Sequence, residues 1–319
     1  MVYYCSDFAP FTLVDANNIL KLQKMYGAIT LLFVSDTMPA VQTRIYFRKI
    51  MEQLHADFAY EQVVVADILN KKEDSSYFFS GTLSGLLEIH TQQTIYVKEE
   101  EGYENKVFSE HFIFDDISLE IAQYIFKNEL FGVTRQMGIV FNQLSYKRFK
   151  HSMRVAYTIK ILAQKHGIDP SIAYFTALFH DYAKELPDEQ LQIIMEKYYP
   201  LYVDAPNAVW HGFAGALLLS QTFDTVDGDI LEAITYHPIG IPQLSELGIA
   251  LYIADFCEFG RPFKEDANRV WKIAQTDLYA AALEKIKITK IYLEKNKKKL
   301  YWTTDNMLSW LEERVDSHE

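Results

Sequence analysis

Cysteine is nearly absent: Cys5 and Cys257 are the only two among 319 residues. A disulfide-built scaffold is excluded, and a reducing compartment fits best. Long apolar runs are missing too. The stretches 29–34, 63–66 and 248–254 fall well short of the roughly 18–20 residues that span a bilayer. The N-terminus, Met1-Val2-Tyr3-Tyr4-Cys5-Ser6-Asp7, has no basic segment followed by an apolar one, so no secretory leader is read there. Positive charge is in short supply: 31 Lys and Arg stand against 43 Asp and Glu, for a formal net charge of −12. Such a surface disfavours nucleic acid and anionic membranes as partners, and an anionic small molecule would need a locally positive pocket. The expectation is a soluble, cytoplasmic protein with neither nucleic acid nor membrane as partner.

What the chain does have is apolar bulk. Hydrophobic residues make up 49% and aromatic residues 14%, with 21 Tyr and 21 Phe, enough for large cores. The length favours two domains. In the first third, residues 28–35 (AITLLFVS) form a short continuous apolar run, as a buried parallel strand would. Residues 62–66 and 94–97 are further strand candidates rich in β-branched side chains. Helical patterns at 16–25 and 42–54 alternate with them, which predicts an α/β layer with a parallel sheet. The charged stretches 71–76 and 98–105 read as surface loops. A helix is predicted over 117–130, and the stretch 134–146 links the halves.

From residue 145 onward nearly everything has helical period. The predicted helices are 149–166, 172–183, 188–197, 207–223, 228–236, 244–256, 263–275, 278–298 and 304–314. Asp169 and Pro170 supply an N-cap and a first helical residue for the second of these. The lysines of 295–299 read as a solvated helix end, where cations suit the dipole. The predicted organisation is an α/β domain over 1–135 followed by an all-α helical bundle over 145–319.

Histidine placement carries the chemistry. His151, His180-Asp181, His211 and His237 each lie on their own predicted helix, and Asp255 closes an apolar helix run at 250–254. Each is flanked by apolar residues that must be buried, so each side chain belongs at the rim of a core. A buried carboxylate is costly unless paired or metal-bound. Residues from separate helices can converge in a bundle, as helical metal sites do. Imidazole with carboxylate suits iron, manganese or zinc. His166, before Gly167 at a helix end, and His55, His90, His111 and His318 read as structural or surface residues.

These motifs carry a family resemblance. The segments Arg148-Phe149-Lys150-His151-Ser152-Met153, Ala177-Leu178-Phe179-His180-Asp181-Tyr182-Ala183-Lys184, Trp210-His211-Gly212-Phe213, Tyr236-His237-Pro238 and Ala254-Asp255-Phe256-Cys257-Glu258-Phe259-Gly260-Arg261 resemble an HD-domain metal-dependent phosphohydrolase. Within that family the chain is most similar to the YqeK-like symmetrical bis(5′-nucleosyl)-tetraphosphatases. The resemblance implies iron, or another divalent transition metal, held by His151, His180, Asp181 and Asp255. It places His211 and His237 on the phosphate side of the site, catalytic together with Asp181, and sets Lys184 and Arg261 on the nucleotide phosphates. The implied reaction is hydrolysis of a dinucleoside polyphosphate, diadenosine tetraphosphate giving two ADP. Hydrolysis of another nucleotide (a mononucleotide or an alarmone) and a nucleotide-sensing interaction protein are the alternatives. Which group acts as general base stays open. Phe259 stands where the family usually has Pro, which leaves the loop path around Arg261 unfixed.

The first domain carries a second resemblance. Phe8-Ala9-Pro10-Phe11-Thr12-Leu13-Val14-Asp15 is similar to the opening of nicotinate-nucleotide adenylyltransferases. Ala9 replaces that family's Asp, and Thr12 and Asp15 stand where its two phosphate-binding histidines belong. The resemblance implies a degenerate nucleotidylyltransferase-like domain; a chance match of an unrelated α/β domain is the other reading. In either case adenylyl transfer is not expected, since Asp15 would repel ATP phosphates.

Overall fold

The computed structural model describes residues 2–6, 19, 23–24, 30–34, 59–63, 76–79, 119–127, 133–261 and 264–316. The chain divides into two compact units, Met1–Val133 and Thr134–Glu319. In the first unit, strands β1 (Val2–Ser6), β2 (Thr30–Val34), β3 (Ala59–Val63) and β4 (Ser76–Phe79) form a sheet of order β3-β2-β1-β4. All its pairings are parallel, with Tyr3 opposite both Thr30 and Tyr77. Helix α1 (Leu119–Lys127) follows, inside the predicted span 117–130, the rest of which lies outside the described residues. The strand expected at 28–35 is β2, and the one expected at 62–66 lies three residues earlier as β3. The predicted elements at 42–54 and 94–97, the loop at 98–105 and most of the helix at 16–25 lie outside the described residues.

The second unit is a helical bundle. It comprises α2 (Arg135–Gln143), α3 (Tyr146–His166), α4 (Pro170–Phe179), α5 (Asp188–Tyr198), α6 (Trp210–Thr222) and α7 (Gly228–Tyr236). It continues with α8 (Glu246–Cys257), α9 (Lys264–Ala274), α10 (Leu278–Lys295) and α11 (Trp302–Asp316). Short 3-10 turns at Pro200–Tyr202 and Asn207–Val209 precede α6. The stretch expected to be a linker is helix α2, capped by Thr134, whose hydroxyl accepts from the Met137 amide.

Local chemistry sets these boundaries. Ser145 caps α3, and Glu185 accepts from both the Ser145 amide (2.6 Å) and its hydroxyl (2.7 Å), tying the start of α3 to the turn after α4. Gly167 ends α3 at φ 72°, a left-handed conformation that favours glycine. Asp169 caps α4 through the Ser171 and Ile172 amides, with Pro170 at the first position.

Helix α4 stops at Phe179 rather than at the expected residue 183. Beyond it the chain tightens into three-residue hydrogen bonds, from Tyr182 to Phe179 and from Lys184 to Asp181. That turn carries His180 and Asp181. Helix α3 packs on α4 and α8, α7 on α6 and α8, and α10 on α8, α9 and α11. Phe149, Phe179 and Phe213 are fully buried among them.

Candidate functional site

Five elements deliver the expected side chains to one place. His151 comes from the interior of α3, His180 and Asp181 from the end of α4, and His211 from the first turn of α6. His237 caps the end of α7, and Asp255 lies in the last turn of α8. All except Asp255 are buried; its side chain is 22% exposed.

The imidazoles share one orientation rule. Nδ1 of His180 lies 2.7 Å from the Ala177 carbonyl, Nδ1 of His211 2.9 Å from that of Ala208, and Nδ1 of His237 2.7 Å from that of Ile234. A carbonyl only accepts, so each Nδ1 carries the proton and each ring turns Nε2 inward. Nδ1 of His151 faces Glu258 Oε1 at 3.2 Å. Its Nε2 lies 3.1 Å from Asp255 Oδ1 and 3.7 Å from Asp181 Oδ2. His180 Nε2 is 3.6 Å from Asp181 and 3.8 Å from Asp255, and this buried atom has no hydrogen-bond partner. A buried, unpartnered ring nitrogen facing two carboxylates is the place for a cation.

Two sets of donor atoms lie within 4.8 Å of one another: His151, His180 and Asp255, and His180, Asp181 and His237. His180 belongs to both. Every residue expected to hold a metal is therefore present, in a hard-to-borderline N and O set that fits a divalent transition metal. His237, expected on the phosphate side, also falls among these donors. Its Nε2 is 3.2 Å from His211 Nε2, which in turn is 3.2 Å from Asp181 Oδ1.

Electrostatics follow from burial and pairing. Burial alone would raise the Asp181 carboxyl, but the adjoining His180 and the His211 hydrogen bond outweigh it and hold its pKa well below the usual range. Asp255 is held down likewise, against burial, by His151 and Arg261. Burial drives His180 and His237 below the usual imidazole value, so both offer neutral nitrogens.

The cations sit close by. Lys184 Nζ lies 3.3 Å from the Ala208 carbonyl and 3.2 Å from His211 Nδ1, and burial lowers its pKa. Arg261 folds back toward Asp255 through a turn closed by its amide on the Glu258 carbonyl. Its Nε and Nη2 donate to the Asp255 carbonyl at 2.9 and 2.7 Å, and Nη2 also reaches Asp255 Oδ1 at 2.5 Å. Phe259 is accommodated by an edge contact with Trp271.

Three further residues were given no role in the sequence. Arg148 Nη1 donates to Asp181 Oδ2 at 2.9 Å and is one-third exposed. Arg154 and Glu258 pair at 2.6 Å behind His151. The available signal was spacing: 148, 151 and 154 share one helical face, and Glu258 follows Asp255 by three.

Residues 148–260 match the HD domain family. The symmetrical bis(5′-nucleosyl)-tetraphosphatase of Bacillus subtilis is 36% identical over 177 residues, covering 55% of this chain and 95% of that protein. The chain belongs to the HD-domain symmetrical bis(5′-nucleosyl)-tetraphosphatase family. A crystal structure from Clostridium acetobutylicum, described as a predicted HD superfamily hydrolase involved in NAD metabolism, superposes on this chain with a TM-score of 0.53. It has 32% identity and covers 56% of this chain and 96% of that one. A Mycoplasma genitalium protein named probable nicotinate-nucleotide adenylyltransferase/Ap4A hydrolase is 30% identical over 176 residues, and the match spans about half of it (49%).

Proposed function

We propose that the protein hydrolyses dinucleoside tetraphosphates symmetrically, converting diadenosine tetraphosphate and water into two ADP. The observation that carries this reading is the inward convergence of Nε2 from His151, His180, His211 and His237 around Asp181 and Asp255, with His180 Nε2 left without a protein partner. His151, His180, Asp181 and Asp255 would hold a divalent ion, which the family resemblance makes iron. When bound, such an ion supplies a nucleophilic water at neutral pH and polarises a phosphoryl oxygen.

The chain's own residues complete the reaction. Water attacks an inner phosphorus, the central bridging P–O bond breaks, and ADP departs while the second ADP gains the water oxygen. His211 Nε2 lies 3.2 Å from both Asp181 Oδ1 and His237 Nε2, and so faces the phosphate side of the site, where it would meet the leaving oxygen. Lys184 and Arg261 offset the charge of the polyphosphate in an otherwise acidic protein. Arg261 does this while holding Asp255 in place.

The first unit reads as a degenerate nucleotidylyltransferase-like domain kept as a docking or regulatory layer. Its parallel order β3-β2-β1-β4 is that of a doubly wound nucleotide-binding fold. The double name of the Mycoplasma relative supports the same reading.

The test is Asp181→Ala. Hydrolysis is expected to vanish and metal content to fall, with far-UV circular dichroism unchanged. Full activity in this variant would overturn the assignment.

A further inference from the structure

We propose that Glu258 is a positioning residue that fixes the ring orientation and tautomer of His151, a role that rests on reading His151 as a metal ligand. The need for it arises from where His151 sits. His180 and His237 cap the ends of α4 and α7, and His211 follows the 3-10 turn Asn207–Val209. At such ends a main-chain carbonyl three residues back is open to an imidazole, and Ala177, Ala208 and Ile234 provide it. His151 instead lies inside the 21-residue helix α3, where main-chain carbonyls are engaged in the helix ladder. Its Nδ1 partner has to come from another element, and Glu258, just beyond α8, supplies it at 3.2 Å.

Glu258 is itself held. It is 3% exposed, and its Oε2 accepts from Arg154 Nε at 2.6 Å and from the Gly260 amide at 2.7 Å. An ionised carboxylate only accepts, so the shared proton belongs to His151 Nδ1, and Nε2, which faces Asp255 and Asp181, is the nitrogen left for a metal ion. Gly260 is part of the same device: a Cβ there would stand 2.6 Å from Arg154 Nε. The glycine thus serves space rather than a positive φ.

Glu258→Gln tests this. The amide can present its N–H to His151 Nδ1 and drive the proton onto Nε2, the nitrogen that must be bare. Zinc affinity, measured by chelator competition, is expected to fall 10- to 100-fold, while the melting temperature of the metal-free protein stays near wild type. In parallel, nitrogen NMR of zinc-loaded, histidine-labelled wild type is expected to show His151 protonated on Nδ1; this readout decides even if the variant fails to fold. Zinc binding within twofold of wild type in the variant, or a His151 proton on Nε2 in wild type, would overturn the clamp while leaving tetraphosphate hydrolysis intact. Failure of the wild type to bind zinc would instead overturn the ligand reading beneath it.

Discussion

Gly212 is the position where packing and the site meet. It follows His211 in the first turn of α6, against the end of α7. A Cβ at Gly212 would lie 2.5 Å from the Thr235 carbonyl oxygen and 3.0 Å from both the Ile234 oxygen and Pro238 Cδ. Two of these are backbone atoms, which have no rotamer to escape into. Reaching an ordinary 3.4 Å contact requires α6 to move away by about 0.9 Å. The same movement stretches the 3.2 Å contact between His211 and His237 toward about 4 Å, beyond hydrogen bonding. Overpacking of this kind costs about 1–3 kcal/mol, against a helix-propensity gain of at most about 1 kcal/mol for Ala over Gly.

Gly215, one turn along the same helix, is the control. Its Cβ would meet Ile234 Cγ2 at 3.6 Å and the His180 oxygen at 3.7 Å, both ordinary contacts. Gly215→Ala should stabilise by up to about 1 kcal/mol and keep its activity. Gly212→Ala should be less stable than it by about 1–3 kcal/mol and lose at least about tenfold in kcat/KM, roughly the worth of one lost hydrogen bond. Urea unfolding followed by circular dichroism, together with steady-state kinetics on diadenosine tetraphosphate, measures both. Equal stability and activity in the two variants would refute the reasoning.

Lys285 is buried with Nζ 2.5 Å from the Tyr252 carbonyl, and burial lowers its pKa from 10.5 to about 7. The protonated form is penalised in the fold, fully below pH 7, and the penalty disappears as pH rises toward 10.5; Lys285→Met should therefore stabilise by about 2–4 kcal/mol at pH 6, a gain that shrinks by pH 10 in urea melts. A gain independent of pH would contradict this. Arg261→Lys cannot reproduce the three contacts at Asp255 and should lower kcat/KM about 10- to 100-fold, the usual worth of a charged hydrogen bond; unchanged kinetics would remove Arg261 from the site. With nicotinate mononucleotide and ATP the protein should release no pyrophosphate, because Thr12 and Asp15 replace phosphate-binding histidines; release above a no-enzyme control would reverse that expectation.

The helices were legible because their apolar period and caps are local. Asp169-Pro170 marked the start of α4 and Gly167 the end of α3. The end of α4 was not legible, since Tyr182 and Ala183 continue the apolar run past the tight turn that begins at His180. Strand β1 was missed because Val2–Ser6 is short and part polar, and β4 because Ser76–Phe79 begins at the edge of a charged stretch. The ligand-type residues stood out as His and Asp beside apolar runs. Their partners did not, because Glu258 meets His151 and Arg154 only through the packing of α3 on α8, more than a hundred positions apart in sequence. Gly212 and Gly260 likewise owe their identity to atoms brought near by the fold.

The central claim is the symmetrical cleavage of a tetraphosphate bridge by this helical site. Phosphorus NMR of diadenosine tetraphosphate incubated with the metal-loaded protein tests it most directly. The account predicts ADP as the sole nucleotide product, formed by wild type and not by Asp181→Ala. Appearance of ATP and AMP, or an unchanged substrate spectrum with wild type, would contradict it.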